Sequence, residues 1–228
     1  MGIGRKHESM SAWVVVGIPL LLSAPLGCVS STGVGAVSIE PPAPQLLALR
    51  DLDGASFDLG SVIRGHEATV LIWYATECPC VRRYQSRMEA LRRSYPAKTV
   101  AMVAIASNAD DNAQKLRETV RLRRFALPIA IDPGGSLATL LAVRSTPTVV
   151  LLARTGGVRF TGWLDNERDV SEQGRVAYLR LALDALLGTG EQGPPTRSPV
   201  YGCLITRSLT EPGQCVESPQ PPCAHDGG

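Results

Sequence analysis

Histidine is scarce in this chain: 228 residues contain three, His7, His66 and His225. A zinc centre takes about four Cys or His ligands in spaced pairs, and no histidine pair stands near Cys78 and Cys80 to complete one. A resident metal is therefore not expected. Charge bias is also missing, since 23 basic and 21 acidic residues leave a formal net charge of +2. Such a balance implies no nucleic-acid partner. No apolar run is long enough to cross a bilayer as a mature helix; the best candidate, residues 12–22, falls well short of the length required.

That short run follows Arg5 and Lys6 and is followed by small residues, which is the layout of an export signal over residues 1–27. Leu26-Gly27-Cys28 resembles the end of a bacterial lipoprotein signal, although Pro25 stands where that pattern has an aliphatic residue. Two outcomes stay open: acylation of Cys28, which attaches the chain to a membrane, or ordinary cleavage nearby, for example after Ala36. Both place the protein outside the cytoplasm, in the periplasm, where disulfides persist. With Cys28 lipidated or removed, five cysteines remain: Cys78, Cys80, Cys203, Cys215 and Cys223. An odd number cannot all pair within one chain, so at least one thiol is left for chemistry or for a partner.

Composition divides the rest. Residues 28–44, rich in Ser, Gly and Pro, read as a tether, residues 45–188 as one globular domain, and residues 189–228 as a Pro-rich tail that carries three cysteines. Within the domain, the apolar runs 69–74, 100–106 and 148–153 have the β-branched content of buried strands. Asp53-Gly54 between residues 46–49 and 57–59 predicts an N-terminal hairpin, and Thr155-Gly156-Gly157 predicts a second one joining 148–153 to 158–163. Helical spacing covers 81–95, where Val81, Tyr84, Met88 and Leu91 form one stripe and Arg82, Arg83, Arg87, Arg92 and Arg93 take the other faces. Further helices are expected over 112–125 and 176–187, with a short strand and helix between 125 and 148. This alternation predicts an α/β fold with a central sheet covered by helices on both faces.

Cys78-Pro79-Cys80 falls at the junction of the first of these strands and the first long helix. A thiol in the first turn of a helix faces unpaired backbone N–H groups and the positive end of the macrodipole, which favour thiolate. A disulfide between residues i and i+2 closes too small a loop to act as a useful staple and would be easily reduced. The position suits thiol–disulfide exchange, provided that the sulfur can be reached.

The run Leu71-Ile72-Trp73-Tyr74-Ala75-Thr76-Glu77-Cys78-Pro79-Cys80, with Ser145-Thr146-Pro147-Thr148, Gly162-Trp163-Leu164-Asp165-Asn166 and Tyr201-Gly202-Cys203, resembles the thioredoxin superfamily. More narrowly it is similar to exported bacterial redoxin-domain proteins of the alkyl hydroperoxide reductase and thiol-specific antioxidant type. The resemblance implies a thioredoxin-like three-layer fold: a central mixed sheet between helices, with an N-terminal hairpin and a strand–helix insertion. It matches Cys78 to the N-terminal active-site cysteine and Pro147 to a proline whose preceding bond, from Thr146, is cis and whose backbone aligns substrate. It implies a nucleophilic Cys78 whose mixed disulfide is resolved by Cys80 or by Cys203, protein disulfides or small thiols as substrates, an upstream electron donor, and no cofactor.

Several family residues are replaced. Val81 stands where thioredoxins carry the second cysteine, and Ile72 where they carry a buried carboxylate. The Thr or Ser and the Pro that precede a peroxidatic cysteine are Ala75 and Leu71 counted from Cys78, or Glu77 and Trp73 counted from Cys80. Disulfide exchange therefore ranks above peroxidase activity. Cu(I) delivery, suggested by two soft thiolates in Cys-x-Cys, ranks third because no histidine lies between Pro147 and the closing helix.

Overall fold

The computed structural model describes residues 48–166, 176–190 and 196–207. The export segment, Cys28, the tether up to residue 44, Cys215 and Cys223 lie outside the described residues. In chain order the elements are α1 (Leu59–Gly65), β1 (Ala68–Trp73), α2 (Pro79–Ser94), β2 (Val100–Ala106), α3 (Ala113–Arg123), β3 (Ile129–Ile131), a 3₁₀ turn (Pro133–Gly135), α4 (Ser136–Leu140), β4 (Ser145–Thr146), β5 (Val149–Ala153), β6 (Val158–Gly162), α5 (Tyr178–Leu186) and β7 (Cys203–Leu204). No helix among the described residues is long and apolar enough to cross a membrane.

Five strands form one mixed sheet in the order β3-β2-β1-β5-β6. β1 runs parallel to β2 and antiparallel to β5, so it sits at the centre and is buried along its whole length. A strand covered on both faces can be apolar throughout instead of alternating, which is why residues 68–73 read as one continuous run. Val70, Ile72 and Tyr74 point to the face packed by Tyr84 and Met88 of α2, Leu116 of α3 and Leu183 of α5. Leu71 and Trp73 point to the other, with Leu59 and Ile63 of α1 and Leu137 of α4. The sandwich of helices, mixed sheet and helices is the expected thioredoxin-like arrangement. Gly156, at φ +85, makes the tight turn between β5 and β6 that Thr155-Gly156-Gly157 announces.

The N-terminal hairpin forms, but it is short. Around Asp53-Gly54 the chain turns back, with the Asp51 carboxylate accepting from the backbone N–H groups of Asp53 and Ala55; Arg50 bridges Ser56 antiparallel, Asp51 N donates to Ala55 O and Phe57 N to Leu49 O, both at 2.9 Å, and Arg50 also bridges Ile131. Its second arm ends at Phe57, because Asp58 and Leu59 open α1. Asp58 caps that helix by accepting from Ser61 N at 2.8 Å, and Leu59 and Ile63, four residues apart, bury together against the sheet. A cap followed by an i, i+4 apolar pair outweighs a strand-like dipeptide.

Residues 196–207 of the tail run extended along the domain. Thr161 N donates to Thr196 O, Ser198 N to Thr161 O, and β7 pairs antiparallel with β4 in a small sheet of two strands.

Candidate active site

Cys78 is the N-cap of α2, with Pro79 in the first turn. Proline suits that place because its missing N–H has no helical partner there in any case. Cys78 makes no side-chain cap; its Sγ donates across the molecule to Thr146 O at 3.2 Å. The Thr146–Pro147 bond is cis, and Thr146 closes β4, so Cys78, Thr146 and Pro147 meet at one corner.

The loop between β1 and Cys78 is held from below by groups that the sequence did not single out. Asp111 accepts from Thr76 N at 3.3 Å through each oxygen and also from Thr76 Oγ1. Arg123 donates to Thr76 O at 2.7 Å and to the Tyr74 hydroxyl at 3.4 Å. Burial raises the Tyr74 pKa above its ordinary value and the neighbouring Arg123 opposes the rise, so the hydroxyl stays protonated. Asp111 lies in the polar stretch before Asn112, the N-cap of α3, where a sequence reading finds only a loop.

Cys203 arrives from the tail. Pairing of Thr146 with Cys203 and of Ser145 with Leu204 brings its sulfur to the same corner, and the sulfurs of Cys78, Cys80 and Cys203 lie within 4.8 Å of one another. Cys78 and Cys203 carry free thiols. Cys80 is disulfide-bonded, and its bonded partner is not among the described residues. Burial pushes the Cys203 thiol from its ordinary 9.0 up to about 12, the hydrogen bond with Cys78 and the charge of that sulfur push the same way, and the backbone N–H of Cys80 pulls against them. Cys203 thus holds its proton well above the ordinary range of a thiol.

Cys78 is only 2 % exposed. Reachability, which the redox reading requires, therefore depends on what covers the sulfur. The tail lies close: Val200, Tyr201 and Cys203 pack against the large core cluster to which Cys78 and Cys80 belong, and the Cys203 sulfur is within 4.8 Å of that of Cys78.

Around this corner, Glu77 is exposed and pairs with Lys115 at 3.1 Å, while Arg82 and Arg83 are exposed on the surface of α2. Arg87, expected on a solvated face, instead ion-pairs at 2.7 Å with the buried Asp165 and lies over the Tyr84 ring. Tyr84 and Tyr201 both stack edge-on against Trp163, at 5.1 and 5.0 Å. Trp163 donates through Nε1 to Tyr201 O at 2.7 Å and through its backbone N–H to Ser198 Oγ at 2.8 Å. The Gly162-Trp163 motif so anchors the tail as well as the core.

Residues 39–161 match the model of the AhpC/TSA family. Among curated proteins, the chain is similar to sporulation thiol-disulfide oxidoreductase A of Bacillus subtilis (strain 168), 20 % identical over 123 residues, which are 54 % of this chain and 73 % of that protein. Among solved structures, it is similar to an uncharacterized conserved protein of Geobacillus kaustophilus (26 % identity, TM-score 0.63, covering 72 % of this chain and 90 % of that one). A hypothetical protein of Sinorhizobium meliloti 1021 is comparable (24 % identity, TM-score 0.62, covering 71 % and 90 %).

Proposed function

The chain belongs to the AhpC/TSA family, and on that footing we propose that it is an exported thiol–disulfide oxidoreductase in which Cys78 attacks and Cys203 resolves. The observation that carries this reading is the pair of free thiols side by side at the start of α2. The Bacillus subtilis relative, a thiol-disulfide oxidoreductase, supports it.

The reaction proceeds by two exchanges. The Cys78 thiolate attacks one sulfur of a substrate disulfide; that S–S bond breaks, a Cys78–substrate disulfide forms, and the other substrate sulfur leaves as thiolate and takes a proton from solvent. Bonding removes the negative charge of Cys78 that helped to hold the proton on Cys203. Cys203 can then ionise and attack Cys78 Sγ, expelling the second substrate thiolate. The substrate disulfide has gained two electrons, and the chain has lost two in forming Cys78–Cys203. A dithiol donor reverses that oxidation, and an oxidised chain meeting a substrate dithiol runs the same steps backwards.

Peroxide chemistry is less well supported, because the hydroxyl nearest the turn, that of Thr76, is committed to Asp111. One observation favours a second reading: three sulfurs within 4.8 Å can hold a soft cation such as Cu(I) once all are reduced. Stoichiometric Cu(I) retention by the reduced protein against a competing chelator tests it.

A disulfide-exchange assay on the mature protein, run beside Cys78→Ser, Cys80→Ser and Cys203→Ser, tests the main proposal. Turnover is expected to vanish in Cys78→Ser and to stall at the mixed disulfide in Cys203→Ser. Mass spectrometry of the oxidised protein is expected to find a Cys78–Cys203 bridge; a Cys78–Cys80 bridge assigns resolution to Cys80. Export, with or without a lipid on Cys28, is checked by the mass of the mature N-terminus.

A further inference from the structure

β7 lies on β4 as an incoming peptide would. It is extended and antiparallel, it pairs Cys203 with Thr146, and it sets the Cys203 sulfur beside Cys78. The pairing continues on both sides. Ile205 N donates to Arg144 O at 2.9 Å, Ala109 N to Thr206 O at 2.9 Å, Thr206 N to Asn108 Oδ1 at 2.9 Å, and Trp163 Nε1 to Tyr201 O at 2.7 Å. Backbone supplies most of these contacts, and backbone is common to every polypeptide.

One contact is selective. Gly202, just before the cysteine, has φ +141, and a Cβ there would be driven into the carbonyl of Thr146. A residue with a side chain cannot keep this seat, since neither the backbone angle nor the space admits one.

Resting on the exchange reaction above, we propose that residues 201–206 are a built-in competitor for the substrate strand. The partner is an extended, disulfide-bearing protein segment whose cysteine follows a glycine; it docks antiparallel on β4 only when the tail has left. The β4 edge that β7 occupies takes one strand at a time, so substrate binding uncovers Cys78 by displacing β7. Resolution is the reverse exchange: β7 returns, Cys203 attacks Cys78 Sγ, and the reduced substrate strand is expelled.

The test uses the full mature chain in the Cys203→Ser background, which isolates the first exchange. The probe is the peptide Tyr-Gly-Cys-Leu-Ile-Thr activated as a mixed disulfide with thionitrobenzoate, whose release reports attack by Cys78. Adding Gly202→Val unseats the tail and is expected to speed release by roughly tenfold or more, because the competent fraction rises. Equal rates in the two proteins overturn the proposal while leaving the exchange reaction standing; that reaction fails separately if Cys78→Ser still turns over. A non-covalent arm guards against a folding defect in the variant. In Gly202→Val the peptide Tyr-Gly-Ser-Leu-Ile-Thr is expected to slow alkylation of Cys78, and Tyr-Val-Ser-Leu-Ile-Thr is not. Protection by both peptides or by neither also overturns it.

Discussion

The turn that carries Cys78 and the strand that carries Cys203 reach the same corner but are fixed there by different means. The turn is fixed by burial: β1 ends beneath it, α2 begins with it, and Val81, Tyr84 and Met88 anchor that helix in the core. The strand is fixed mainly by backbone hydrogen bonds, by the partly buried Val200, Tyr201, Cys203 and Ile205, and by the room that Gly162 and Gly202 leave against Ser198 and Thr146. Burial of several large side chains stabilises by many kilocalories per mole, whereas a net backbone hydrogen bond contributes about 1 kcal/mol. On the proposed exchange, the first sulfur belongs to the folded frame and the second is the one that moves, the division of labour that a two-step reaction needs.

The largest effect that can break this comparison is chemical. Cys78→Ser is expected to abolish disulfide exchange, whereas Cys203→Ser is expected to trap close to one equivalent of substrate as a mixed disulfide, seen by mass spectrometry. If both variants trap substrate equally, the assignment of roles fails. Stability comes next. Met88→Ala, on the core face of α2 and fully buried, is expected to cost about 2–5 kcal/mol in chemical denaturation. Leu204→Ala in the strand, 55 % exposed, is expected to stay within about 0.5 kcal/mol. A Leu204 cost approaching that of Met88 would make the tail part of the frame.

A smaller effect is pH-dependent. The folded protein holds the Cys203 proton up to about 12, whereas the unfolded chain releases it near 9.0. A raised pKa stabilises the native state below the unfolded value and loses that contribution as pH climbs through the folded one. Under reducing conditions the melting temperature of the wild type is therefore expected to fall as pH rises from 9 towards 12, more steeply than that of Cys203→Ser. Parallel curves for the two proteins remove the proton coupling between the sulfurs.

The same contrast governs what can be read from the sequence. β1, α2 and Cys78 were legible because burial writes itself as pattern: a continuous apolar run for a central strand, a 3.6-residue stripe for a helix, a proline at the first turn. The seat of Cys203 was not, because backbone pairing leaves no mark on side-chain periodicity. Gly162 and Gly202 stand in motifs that the resemblance singles out, but the need for glycine there shows only when Ser198 lies against one and Thr146 against the other. Asp111 was equally hidden: a carboxylate in a polar loop becomes a structural group only when folding brings Thr76 to it. The end of the N-terminal hairpin was hidden for a related reason, since Asp58 serves as a helix cap as readily as a turn residue, and only the docking of Leu59 and Ile63 on the sheet decides which.

The smallest expected effect probes the frame on which the turn stands. Thr69 of β1 is fully buried, and its hydroxyl finds no hydrogen-bond partner among the described residues. Its neighbours across the ladder are Ala101 and Leu152, and alternation along β1 turns its side chain to the face lined by Leu71 and Trp73. A buried hydroxyl without a partner costs about 1–3 kcal/mol of desolvation, and valine has the same shape without that cost. Thr69→Val is thus expected to stabilise the fold by about 1 kcal/mol, read as a higher denaturation midpoint at unchanged slope. It is also expected to leave the rate of attack by Cys78 unaltered, because Cys78 packs in the cluster on the opposite face of the sheet. A loss of stability would mean that the hydroxyl is satisfied by water, and that the frame under the turn is wetter than its burial implies.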